Sequence, residues 1–173
     1  MSKETYKFKI TLFGSEGVGK TSLLIRYIKD YFSSDLKKTI GSNFLIKDVE
    51  IDGKNVRLLL WDIGGQEQFA KLRTVYFKGS NGALGVYDIT SPQSLLKLPG
   101  WVSSIKKTVK KPIPMLVLGN KIDLSRQVER VEAEDLAKRL NCDYLETSAK
   151  TGDNVELAFE NLARACVKNA ENT

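Results

Sequence analysis

Histidine is absent from the 173-residue chain. That absence excludes Ser-His-Asp hydrolysis, Cys-His proteolysis, His-ligated zinc and histidine pH switching. Cysteine is scarce: Cys142 and Cys166 lie too far apart for a CxxC site. They read as packing or surface thiols in a reducing compartment, which suits a cytoplasmic protein. No apolar run approaches the ~20 residues a membrane-spanning helix needs. The start, Met1-Ser2-Lys3-Glu4, has no signal-peptide core, and Ser2 stands where N-myristoylation needs glycine. Internal repeats and low-complexity linkers are also missing. Charge is not dominated by one sign. Lys and Arg number 27 against 21 Asp and Glu, a net +6. So modest a surplus does not argue for nucleic-acid binding, though it permits a soft attraction to acidic surfaces.

What is present is the material of one domain spanning 1–173, with ends at 1–6 and 169–173 expected to fray. Short apolar runs alternate with helical periodicity, the pattern of an α/β domain. Residues 7–13 read as a strand. After a glycine-rich turn, Leu24, Tyr27, Ile28 and Tyr31 share one helix face. Residues 43–51 and 56–62 read as an antiparallel pair about the turn Asp52-Gly53-Lys54-Asn55. The runs 83–87 and 115–118 suit strands buried on both faces, and 144–147 a shorter sixth strand. Ala133, Leu136, Ala137 and Leu140 keep helical spacing, as do Val155, Ala158, Phe159, Leu162 and Cys166. Pro99-Gly100 interrupts a helical pattern from about Gln93 to Lys110, predicting a kink or two helical pieces. Lys106, Lys107, Lys110 and Lys111 form the densest basic cluster, read either as a contact for an acidic partner or anionic membrane, or as a solvated helix end.

Gly14-Ser15-Glu16-Gly17-Val18-Gly19-Lys20-Thr21 fits GxxxxGK(S/T) between a strand and a helix. Glycines let the backbone curl so that N–H groups converge on phosphate oxygens, and the helix N-terminus adds partial positive charge. Lys20 would bridge β- and γ-phosphates, the Thr21 hydroxyl would ligate Mg²⁺, and Ser22 could reach the α-phosphate. The loop alone leaves ATP or GTP, kinase or switch, open.

Two later segments separate these. Asn120-Lys121-Ile122-Asp123 and Ser148-Ala149-Lys150 each follow a strand, on the edge that carries the phosphate loop. Asp123 can accept the N1–H and exocyclic amine of guanine, a donor pair adenine lacks. The Ala149 N–H can donate to the guanine carbonyl. Asn120 can tie the segments together, and the stems of Lys121 and Lys150 can sandwich the base. Adenine would leave these groups unpaired, so the site selects guanine.

Trp61-Asp62-Ile63-Gly64-Gly65-Gln66-Glu67 closes the third strand. Asp62 is placed to hold Mg²⁺ through water, Gly65 N–H to sense the γ-phosphate, and Gln66 to orient an attacking water. Thr39, in a polar loop, could complete the Mg²⁺ shell when a γ-phosphate is present. Phe32 is either an edge-on cover for the base or a core aromatic. Loss of the γ-phosphate would release both loops.

With these motifs, and with Tyr76-Phe77-Lys78-Gly79, Val86-Tyr87-Asp88-Ile89-Thr90 and Trp101, the chain resembles a Ras-superfamily small GTPase, closest to the Rab family, from about Lys7 to Val167. The resemblance implies a P-loop NTPase fold: a six-stranded, mostly parallel sheet with one antiparallel edge strand and about five helices. It implies Mg²⁺-dependent binding of GTP and GDP, slow hydrolysis, and a monomer. Effectors, an exchange factor and an activating protein would engage residues near 33–46 and 64–77. Neither nucleic acid nor a transmembrane span is implied; peripheral membrane association is compatible. Departures are specific. Glu16 replaces a small residue of the phosphate loop and could obstruct an arginine finger. Ile63-Gly64 resembles the Val-Gly of Arf proteins rather than the Rab Thr-Ala. Ser42-Asn43 replaces Val-Asp. The chain ends Ala170-Glu171-Asn172-Thr173 without the prenylated cysteines of Rabs, so no lipid anchor is read in it. The leading expectation is a GTP-hydrolysing switch. The alternative is a guanine-nucleotide-binding interaction module with little or no hydrolysis. A nucleotide kinase would need an arginine-rich lid, and no such insertion is visible in the sequence.

Overall fold

Strand β1 (Thr5–Phe13) runs up the middle of a six-stranded sheet in the computed structural model, which describes residues 4–30, 32, 42–64 and 71–173. The other strands are β2 (Ser42–Ile51), β3 (Lys54–Ile63), β4 (Gly82–Asp88), β5 (Met115–Asn120) and β6 (Asp143–Glu146). Their order is β2-β3-β1-β4-β5-β6. The β2–β3 pairing is antiparallel and every other pairing parallel, so β2 is the antiparallel edge strand the sequence predicts. The hairpin is tighter than the expected four-residue turn. Lys54 and Asn55 already pair with Ile51 and Glu50. Asp52 and Gly53 alone turn the chain, both at positive φ (51° and 80°), as a two-residue turn that matches strand twist.

The helices among the described residues are α1 (Lys20–Lys29), α2 (Arg73–Phe77), α3 (Pro92–Leu96), α4 (Leu98–Thr108), α5 (Arg130–Arg139) and α6 (Val155–Glu171). Counting α3 and α4 as the two pieces of one broken helix gives the expected five. The break falls at Lys97, ahead of Pro99. Proline in a first helical turn gives up a donor that has no intrahelical acceptor, so the new helix starts there. Ser91 caps α3 by accepting from the Ser94 N–H at 3.3 Å.

Helices cover both sheet faces, which is why β4 and β5 are buried along their whole length. Beneath α1 and α6 lie Leu12, Leu23, Leu60, Leu84 and Phe159, with the Tyr27 and Phe159 rings stacked at 4.1 Å. Beneath α2–α5 lie Phe13, Phe77, Tyr87, Trp101 and Ala133. Tyr6 pairs with Val56 in β1, and α6 continues through Glu171. The Tyr6 hydroxyl donates to Glu171 Oε1 at 3.2 Å, and Lys54 also pairs with that carboxylate, so the two ends hold each other.

The parallel strands share one direction. The loop after β1, the end of β3, and the segments after β5 and β6 therefore meet at one sheet edge.

Candidate nucleotide site

Gly14–Gly19 bridges β1 and α1. Gly19 has φ 100°, and a Cβ there would stand 2.4 Å from Asn120 Nδ2, so only glycine lets the phosphate loop pass beneath Asn120. Lys20 opens α1 and is 6% exposed. Its Nζ donates to the carbonyls of Gly14 at 2.9 Å and Ser15 at 3.1 Å. Burial pulls its pKa down from 10.5 to about 8, Arg73 adds to the fall, and Asp62 and Glu16 oppose it. An ammonium held this deep is stabilised by anions, and the turn of backbone around it faces the loop's interior. The Ser15 hydroxyl, buried without a hydrogen-bond partner, adds a donor. These are the features a polyphosphate requires.

Thr21 and Asp62 meet at the same place: the Thr21 hydroxyl donates to Asp62 Oδ2. A hydroxyl and a fully buried carboxylate are hard oxygen donors suited to Mg²⁺. Among the described residues no group of three or more His, Cys, Asp or Glu side chains could hold a metal alone. Mg²⁺ commonly takes one or two protein oxygens and completes its shell with phosphate and water, so the pair fits it.

The base segments form one network. Asn120 Nδ2 donates to the Val18 carbonyl at 2.9 Å. Its Oδ1 accepts from the Thr147 hydroxyl at 3.0 Å and the Ala149 N–H at 3.3 Å. Lys121, at φ 73°, turns its chain back over the phosphate loop, with Nζ 2.7 Å from the Gly17 carbonyl and 2.9 Å from Asp88 Oδ2. Asp123 is exposed and oriented by the Ser148 hydroxyl at 2.7 Å. The structure thus brings together Gly17, Val18, Gly19, Lys20, Thr21, Asn120, Lys121, Asp123, Ser148 and Ala149. Ser22 is half-buried on α1, and Lys150 is exposed. Glu16 is exposed on the loop. Phe32 is half-buried and packs against the core beneath α1 and α6. Thr39, Gly65 and Gln66, and Tyr31 of the expected helix face, lie outside the described residues.

Beside the site, the Phe44 and Trp61 rings meet tilted with centroids 4.8 Å apart, and Trp61 meets Tyr76 at 6.0 Å. Phe44, Ile46, Leu72 and Val75 stay exposed around them, an apolar surface of the kind that marks protein contacts.

Several residues escaped the sequence reading. Arg26 on α1 donates from Nε to the Ala149 carbonyl at 2.8 Å and from Nη2 to the Lys150 carbonyl at 2.6 Å, clamping the base loop to the first helix. Below that loop, Glu146 receives Arg126 through both oxygens (2.9 and 2.7 Å) and the Tyr144 hydroxyl at 2.7 Å. Tyr144 in turn meets the Tyr87 hydroxyl at 2.5 Å. Arg73 lays its guanidinium 3.6 Å over the Trp101 ring, joining α2 to α4. Apart from Tyr144 and Glu146, two residues apart, the partners are remote in sequence, so no local motif could have announced them.

Comparison with known proteins agrees with this geometry. A family model described as Ras family matches residues 9–168. Ras-related protein Rab-13 of Rattus norvegicus is 45% identical over 159 residues, 91% of this chain and 78% of that protein. Ras-related protein Rab-8 of Diplobatis ommata is 43% identical over 161 residues, 92% and 77% of the two chains. Ras-related protein Rab-8B of Homo sapiens is 42% identical over 161 residues, 92% and 78%.

Proposed function

The chain belongs to the Ras family of small GTPases, beside the Rab proteins, and we propose that it is a guanine-nucleotide switch that binds GTP and GDP with Mg²⁺ and hydrolyses GTP slowly. The observation that carries the reading is the Asn120 hub, which joins the phosphate loop to both base segments and leaves Asp123 exposed to accept guanine's two N–H groups.

In this reading Lys20 and the loop N–H groups hold the β- and γ-phosphates, and Thr21, Thr39 and, through water, Asp62 hold the metal. Mg²⁺ supplies charge neutralisation across the phosphates. Gln66 orients the attacking water and the Gly65 N–H meets the γ-phosphate. Phosphoryl transfer then breaks the bond from the γ-phosphorus to the bridging oxygen, giving GDP and inorganic phosphate. The apolar surface around Phe44, Trp61 and Tyr76 is where GTP-dependent effectors would dock, and exchange and activating proteins would use the adjoining switch segments. The protein acts in the cytoplasm as a monomer.

Competition against a fluorescent GDP analogue in Mg²⁺ tests the binding reading. GTP and GDP displace the analogue, and ATP at the same concentration does not. Equal displacement by ATP would overturn guanine selectivity.

A further inference from the structure

The parallel strands begin at the end of the molecule opposite the nucleotide loops, and the C-termini of α4, α5 and α6 close that end. Lys106, Lys107, Lys110 and Lys111 leave α4; Lys138 and Arg139 end α5; Lys168 stands in the last turn of α6. All are exposed. They form one field, because Lys106 Nζ donates to the Leu140 carbonyl at 3.3 Å and draws the end of α4 against the end of α5. From Lys111 the chain runs through Pro112–Pro114 into a cleft of about 460 Å³, whose lining includes Pro114, Asp143, Asn161, Arg164 and Lys168. Of the carboxylates near this end, Asp52 binds Arg164 and Glu171 binds Lys54, while Glu4, Glu50 and Asp143 stay exposed, fewer than the cations.

We infer that this basic end is a docking face for an anionic phospholipid bilayer, whose headgroups meet the lysines and enter the cleft. Three observations favour a bilayer over a macromolecule with a defined shape. The cations come from three separate helix ends and are mainly lysines, flexible point charges suited to diffuse surface charge rather than bidentate recognition. The aromatic at the cleft, Tyr144, has its ring stacked against Tyr87 at 6.4 Å and the Arg130 guanidinium 5.9 Å from its ring, so its faces are already used rather than offered to single-stranded nucleic acid. Docking here also points the nucleotide loops away from the membrane, where soluble partners can reach them. The inference does not depend on hydrolysis, and its test reads lipid binding directly.

Co-sedimentation of the GDP-loaded protein with vesicles decides it. Protein sediments with phosphatidylcholine–phosphatidylserine vesicles at low salt, not with phosphatidylcholine alone, and high salt releases it. The Lys110→Gln/Lys111→Gln variant loses about thirtyfold in partitioning. Lys97→Glu, with the same loss of formal charge at the other end of α4, changes it by less than about threefold. Retained GDP in each variant reports an intact fold. If the first variant fails that check, Lys107→Gln/Lys168→Gln takes its place. Equal effects of the two charge-matched variants, equal binding to neutral vesicles, or no binding to anionic vesicles would overturn the inference. So would RNA binding through the same lysines without vesicle binding.

Discussion

Asn120 donates through its side-chain amide to the carbonyl of Val18, 102 residues earlier in the chain, at 2.9 Å. The same side chain accepts from Thr147 and Ala149, so one buried amide fixes the spacing between phosphate loop and base loop. Asn120→Ala strands these partners, each at a cost of about 1–3 kcal/mol. GDP release should accelerate roughly a hundredfold in stopped-flow measurements with a fluorescent analogue. A release rate within about threefold of the parent would remove the hub from the account.

Arg26 gives a finer test. Its two hydrogen bonds to the Ala149 and Lys150 carbonyls hold the backbone whose Ala149 N–H donates to Asn120. Arg26→Ala should speed nucleotide release about tenfold while leaving the single-turnover hydrolysis rate of bound GTP unchanged. A fall in hydrolysis with unaltered release would show that Arg26 acts elsewhere.

The Arg73 guanidinium over Trp101 joins the second helix to the fourth. Arg73→Ala removes a contact of about 1–2 kcal/mol. The melting temperature should fall and tryptophan emission should change together. Unchanged emission would contradict the stacking.

Glu146 carries the clearest pH dependence. Burial alone would raise its carboxyl, but the hydrogen bonds from Arg126 and Tyr144, with the charges of Arg126 and Arg130, bring it below the ordinary 4.5. The unfolded chain then takes up the proton first as pH falls. The cluster's stabilisation is complete above pH 4.5 and is lost as pH drops through the lower folded value. Glu146→Gln should cost on the order of 2 kcal/mol at neutral pH in urea unfolding. The variant should also show a shallower loss of stability in acid; parallel pH profiles for the two proteins would refute it.

Much of this site was readable because its motifs are contiguous and sit at strand ends. The phosphate loop, Asn120–Asp123 and Ser148–Lys150 all meet at one sheet edge, as topology requires. The broken helix was foreseen from Pro99, though the boundary moved to Lys97 because proline begins a helix more readily than it ends one. Residues paired over long separations were not readable. Arg26 meets Ala149 across 123 positions and Tyr6 meets Glu171 across 165, and nothing in either neighbourhood signals the other. Thr39, Gly65 and Gln66 lie outside the described residues.

Single-turnover hydrolysis with Mg²⁺, with bound nucleotide identified by chromatography, tests the central claim most directly. The account predicts slow conversion of bound GTP to GDP, and a large loss of that rate in Gln66→Leu with GTP affinity preserved. GTP retained intact over many hours by the parent protein would contradict it, and would identify a locked guanine-nucleotide-binding module with Glu16 as the residue to replace first.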